Sequence, residues 1–217
     1  MSADRTPTFS EDCRNILYGL RGTLSYVAER LNVTRGLYER WTTVVPESVK
    51  SVMFVCKGNI CRSPLAAVYF QSLIEKAGRD MTVRSAGLET TPGKPAHANA
   101  KAVAVQHRLS LDGHCTTHVQ AGLLDQSDLI IVMELRQKDR VQRLYPNTKG
   151  KVVLLGYFDS RGPLEIADPY SGTMEDFHAC FRQMCQCCDI LADRLSIDRS
   201  ESLTSRMSVP LANSDVA

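Results

Sequence analysis

The stretch Ser51-Val52-Met53-Phe54-Val55-Cys56-Lys57-Gly58-Asn59-Ile60-Cys61-Arg62-Ser63-Pro64 decides how the rest of the chain is read. Ser51 to Val55 has the length and apolar character of a buried strand. Gly58 and Asn59 stand where a tight turn must visit positive φ, and Pro64 suits the first turn of a helix, where its missing N–H is harmless. A loop wrapped around a helix start points successive backbone N–H groups inward. With the helix dipole, those groups make a cradle for a phosphate dianion. By itself Cys-x5-Arg-Ser is a weak signature, and the strand before it and the helix after it supply its weight.

The alternation continues outward from this loop. Pro64 to Ala77 reads as a helix, Met81 to Arg84 as a strand, Ala96 to Arg108 as a helix, Leu129 to Met133 as a buried strand and Leu135 to Leu144 as a helix. Val152 to Leu155 reads as a strand and Met174 to Leu195 as a long final helix. Strand and helix in alternation predict an α/β fold, a four-stranded parallel sheet with helices on both faces. Ligands of such sheets bind at the carboxyl ends of the strands, where the Cys56 loop lies.

On the other side, Leu17, Leu20, Leu24, Val27 and Leu31 follow Ser10 at helical spacing, and a second short helical stretch runs from Val33 to Trp41. Val45 to Ser48 reads as a linker. The expected organisation is therefore a helical extension over residues 1–49, a catalytic domain over 50–196 and a serine-rich, disordered tail over 197–217. The apolar face of the extension must bury against something. Docking on the domain is favoured over self-association, and membrane-surface binding is disfavoured because basic and acidic residues there nearly balance.

Composition excludes several classes. A net charge of +2 with no Lys/Arg cluster argues against nucleic acid. No apolar run approaches the roughly 18 to 20 residues that span a bilayer, and no export signal opens the chain. Eight cysteines without such a signal read as thiols in a reducing, cytoplasmic compartment.

Within the loop, Cys56 would sit at the floor of the cradle, where inward amides, the helix end and a guanidinium favour the thiolate. Arg62 can grip two phosphate oxygens with its planar fork. Ser63 is placed to donate a hydrogen bond to the Cys56 sulfur as it leaves. The backbone of Lys57, Gly58, Asn59, Ile60 and Cys61 completes the expected anion site.

Cys56 to Pro64 resembles the signature loop of the low-molecular-weight protein tyrosine phosphatases, which implies a small doubly wound (flavodoxin-like) four-stranded parallel sheet and a site that needs no metal or other cofactor. Ser85-Ala86-Gly87, Leu109 to Cys115, Val132-Met133-Glu134, Gly150 to Gly156 and Ala167-Asp168-Pro169-Tyr170 follow in family order, so the resemblance covers residues 50–195. The segments are most similar to the bacterial branch that acts on membrane tyrosine autokinases of capsule and exopolysaccharide export. The resemblance implies that Asp168 protonates the leaving phenolate oxygen and later accepts a proton from the hydrolytic water. Pro169 holds the preceding residue extended, which can aim that carboxyl inward.

The same resemblance implies further roles. Tyr170 and Leu88 would line a slot for the substrate's ring. Asn59 would hold a strained conformation by bonding Ser85, and Ile60 favours phosphotyrosine over phosphoarginine. Cys61 is either a small buried residue or a redox partner of Cys56. Cys185, Cys187 and Cys188 have a metal-like or redox-like spacing on a helix, and core packing is the favoured reading. The grouping of His114, Cys115 and His118 likewise reads better as a loop than as a metal site.

Two departures stand out. Thr116-Thr117-His118 lacks an arginine usual in the family, which bears on local packing. Leu88 to Pro95 lacks the aromatic wall of animal members, which implies a wider slot. The rival readings are an arsenate reductase using Cys115 or the Cys185 to Cys188 group, and a phosphoprotein-binding module without turnover.

Overall fold

The computed structural model describes residues 45–46 and 48–196. The helices expected before residue 45 and the tail after 196 lie outside the described residues. Four strands form one sheet: β1 (Ser51–Cys56), β2 (Thr82–Gly87), β3 (Leu129–Val132) and β4 (Val152–Leu154). Their order is β2-β1-β3-β4 and every pairing is parallel. The helices are α1 (Arg62–Lys76), α2 (Ala98–Gln106), α3 (Ala121–Asp125), α4 (Leu135–Leu144) and α5 (Met174–Ser196). The doubly wound expectation is borne out.

Side chains of a strand alternate between the two faces of the sheet, so β1 feeds two separate cores. Val52, Phe54 and Cys56 join Leu65, Phe70 and Ile74 of α1, Val103 of α2 and Phe177, Phe181 and Leu191 of α5. Met53 and Val55 face the other way, onto Leu124 of α3, Val141 of α4 and Ile130 and Val132 of β3. Phe54 meets Phe70 edge to face, with centroids 5.6 Å apart. Of the three cysteines expected to pack in the core, Cys187 and Cys188 are buried on α5 and Cys185 is half-buried against the same core; Cys180 is buried there too.

β2 begins one residue later than its sequence suggests and extends to Gly87, beyond Arg84. Ser85-Ala86-Gly87 has little strand character of its own. Backbone pairing draws it into the sheet, with Phe54 opposite Ser85 and Cys56 opposite Gly87. This extension carries Ser85 alongside the loop that leaves β1. The loop therefore sits at the carboxyl edge of the sheet between β2 and β3, where the strand order reverses about β1.

Candidate active site

The loop from Cys56 to Ser63 is held from behind by Asn59. Its φ of 55° lies in the left-handed region, which costs a non-glycine residue about 1 kcal/mol. The side chain compensates by satisfying every polar atom it carries. Nδ2 donates to Ser63 Oγ and to Ser85 Oγ, each at 2.9 Å, and Oδ1 accepts from the Thr117 N–H at 2.9 Å. Nε2 of His114 lies 2.8 Å from the Asn59 carbonyl oxygen. Gly58, expected to share the positive φ, does not adopt it, so Asn59 alone makes the left-handed turn. The segment Thr116-Thr117-His118 packs behind the loop despite its missing arginine: Thr116 is buried, and its hydroxyl donates to the Thr91 carbonyl at 2.7 Å.

At the loop's floor the buried Cys56 Sγ accepts from the Asn59 N–H at 3.2 Å and lies 3.0 Å from Ser63 Oγ. Because Asn59 Nδ2 already fills a lone pair of that hydroxyl, its proton is free to point at the sulfur or at the Ala86 carbonyl, 3.3 Å away. The start of α1 has no side-chain cap and no acidic residue in its first turn. Its positive end is left facing the loop, an arrangement that suits an anion.

Arg62 is only 1% exposed. Its Nη1 donates to Glu134 Oε1 at 2.5 Å and to the Ile166 carbonyl at 3.0 Å, while Nη2 donates to Asp168 Oδ2 at 2.6 Å. Its Nε is buried with no hydrogen-bond partner among the described residues. Burial alone would depress the guanidinium's proton affinity. The Cys56, Asp168 and Glu134 groups outweigh it and push that affinity up, so the fork stays charged. Glu134 is likewise pushed up by burial and, more strongly, pulled below the ordinary carboxylate range by its bonds from Arg62 and Arg136. Glu134 was legible only as part of a family-like segment. No spacing in the sequence ties it to Arg62.

Tyr170 extends the Asp168 loop outward and is 57% exposed, as a slot wall would be. Leu88 is different. It is 6% exposed and packs in the core with Met53, Val55 and Val119, so it offers a ligand little surface. An apolar side chain continuing β2 on its inner face is drawn into the sheet's core. The residues after it form a cleft of about 420 Å³ lined by Gly58, Ile60, Glu89, Thr90, Thr91, Lys94 and His118, beside the loop. Cys61 is buried, and its thiol is pushed up to about 12 by that burial and by the negative charge of Cys56 and Asp168. Among the described residues no three His, Cys, Asp or Glu side chains gather as metal ligands.

A doubly wound parallel sheet with a Cys-x5-Arg loop after its first strand and an aspartate reaching the loop's arginine is the arrangement of a phosphoric monoester hydrolase. Residues 51–201 match the family model described as low molecular weight phosphotyrosine protein phosphatase, and the chain belongs to that family of protein-tyrosine-phosphatases. It is 40% identical over 131 residues to the low molecular weight protein-tyrosine-phosphatase Wzb of Escherichia coli K12, covering 60% of this chain and 85% of that one. The crystal structure of the Erwinia amylovora tyrosine phosphatase AmsI superposes with a TM-score of 0.64 at 34% identity, over 69% of this chain and 95% of that one. The YwlE arginine phosphatase from Geobacillus stearothermophilus gives 0.64 at 29% identity, over 70% and 96%. No helix among the described residues is long and apolar enough to cross a membrane.

Proposed function

We propose that this chain hydrolyses phosphotyrosine in a protein substrate through a cysteinyl-phosphate intermediate. The observation that carries the reading is the buried Arg62 Nε without a partner. An unsatisfied buried N–H costs about 1 to 3 kcal/mol, and here it sits beside Nη2 on the fork that matches two phosphate oxygens. In this mechanism the Cys56 thiolate attacks phosphorus while the P–O bond to the tyrosine ring breaks, and Asp168 gives its proton to the leaving oxygen. Water then attacks the phosphorus, Asp168 takes the proton of that water, and the P–S bond breaks to release inorganic phosphate. The backbone of Lys57 to Ser63 and the Arg62 fork hold the equatorial oxygens throughout, and the Ser63 hydroxyl stabilises the departing sulfur.

Asn59 and Ser85 keep the loop in shape, and Tyr170 walls the substrate's ring. Cys61 is proposed to protect an oxidised Cys56: its thiol condenses with the sulfenic acid, giving a disulfide and water. The substrate we propose is a membrane tyrosine autokinase of polysaccharide export, met in the cytoplasm. The similarity to Wzb and AmsI supports that choice, and Ile60 favours phosphotyrosine over the phosphoarginine of YwlE-like relatives.

The test is hydrolysis of a phosphotyrosine peptide in the presence of EDTA. Cys56→Ser should abolish turnover, and Asp168→Asn should lower kcat by roughly 100- to 10,000-fold. Activity that survives Cys56→Ser would sink the mechanism. Faster release of phosphate from phosphoarginine would reassign the substrate, and arsenate turnover dependent on Cys115 would favour the reductase.

A further inference from the structure

One imidazole joins three parts of the site without touching the phosphate cradle. His97 ends the long connection after β2 and immediately precedes α2. Its backbone N–H donates to the carbonyl of Ile60, within the phosphate loop, at 2.8 Å. Its ring Nδ1 accepts the N–H of Asn99 at 3.2 Å and so caps α2, which leaves the ring proton on Nε2. The ring lies nearly parallel to buried Phe177 of α5, with centroids 5.0 Å apart and planes at 18°. Tyr170, two residues beyond Asp168, meets the same ring edge on, at 5.7 Å and 69°.

These contacts give the half-exposed Tyr170 a fixed backing. A flexible tyrosine would have to be ordered each time a substrate ring bound, and a pre-set one avoids that cost. The residue types that cap helices best are small and polar, whereas those that stack are aromatic. Imidazole does both, with its acceptor nitrogen on the cap and its face on Phe177. Through Ile60 the same residue is tied to the loop that binds the phosphate, so the slot wall and the anion site share one anchor.

We propose that His97 is a positioning residue for the substrate slot, holding Tyr170 against the aromatic ring of the phosphotyrosine. This rests on the phosphotyrosine reading above. Its consequence is selective: binding of an aryl or peptidyl substrate depends on the His97 ring, whereas binding of a bare anion does not.

Three variants of the full-length chain separate the two jobs of the side chain. His97→Asn keeps a capping oxygen and loses the ring. Its KM for a phosphotyrosine peptide should rise roughly three- to tenfold, while inhibition by inorganic phosphate and the melting temperature stay near wild type. His97→Phe keeps a ring and loses the cap. It should recover at least half of the KM loss seen in His97→Ala, yet melt roughly 2 to 4 °C below wild type. A His97→Asn enzyme with wild-type KM, or a His97→Phe enzyme as impaired in KM as His97→Ala, overturns the proposal and leaves the phosphatase reading intact. A parallel rise in the inhibition constant for phosphate would mean that His97 acts on the loop instead, and also overturns it. A wild-type chain with no activity on phosphotyrosine removes both.

Discussion

Arg62 is bonded to two carboxylates, Glu134 and Asp168, and lies near the Cys56 sulfur. The two carboxylates are not equivalent. Glu134 is buried and also bonded by Arg136 and by Gln137 at 2.9 Å, whereas Asp168 is partly exposed. The first is built as a permanent counter-charge and the second is free to exchange partners. Glu134→Gln keeps the shape and removes the charge, so at pH 7 it should cost about 2 kcal/mol of stability. Since the folded-state carboxyl titrates below its ordinary value, its contribution is complete above about pH 5 and is lost as pH falls through the depressed value. The difference between wild type and Glu134→Gln in urea denaturation should therefore be constant from pH 6 to 8 and shrink toward pH 3. A difference that grows on acidification would refute the assignment.

At the scale of elements, the geometry of the loop depends on how β2 ends. A Cβ at Gly87 would come within 3.0 Å of Asn59 Cβ, the Asn59 N and the Gly58 carbonyl carbon. Glycine is needed there because the loop after β1 presses on the strand that supports it. Gly87→Ala must push the loop by a few tenths of an ångström, so kcat/KM for a phosphotyrosine peptide should fall about tenfold or more while the fold survives. Near-wild-type kcat/KM would show that the contact is slack. Most elements were readable from local pattern, because buried strands and amphipathic helices repeat their apolar residues at fixed periods. α3, five residues long, is too short to show a period, and the end of β2 is made by pairing alone. Leu88, just beyond β2, is buried for a related reason: the N–H it donates to the Cys56 carbonyl keeps it beside β1.

Across the whole molecule, α5 ties the site to the main core. Phe177 backs His97, and one turn further on Phe181 is buried with its ring 5.7 Å from Tyr69 and 4.6 Å from His107. Phe181→Ala should lower stability by about 3 to 5 kcal/mol, read from the midpoint of urea unfolding, because the rigid core around it cannot collapse into the space. A loss under about 1 kcal/mol would mean that α5 is only loosely docked. The buried thiols of α5 behave as core residues: burial pushes Cys180 to about 12 and Cys188 well above the ordinary thiol value.

The alternation of strands and helices, and the loop between β1 and α1 that carries Cys56 and Arg62, can be read from the sequence alone. These are local properties, carried by periodicity and by the spacing from Cys56 to Arg62. Which distant groups meet is a matter of the folded chain: Glu134 and Asp168 on Arg62, Thr117 and His114 behind Asn59, and His97 between Phe177 and Tyr170. Those meetings follow from the order in which strands pair and from loops that have no period to read. Neither is written in the spacing of residues along the chain.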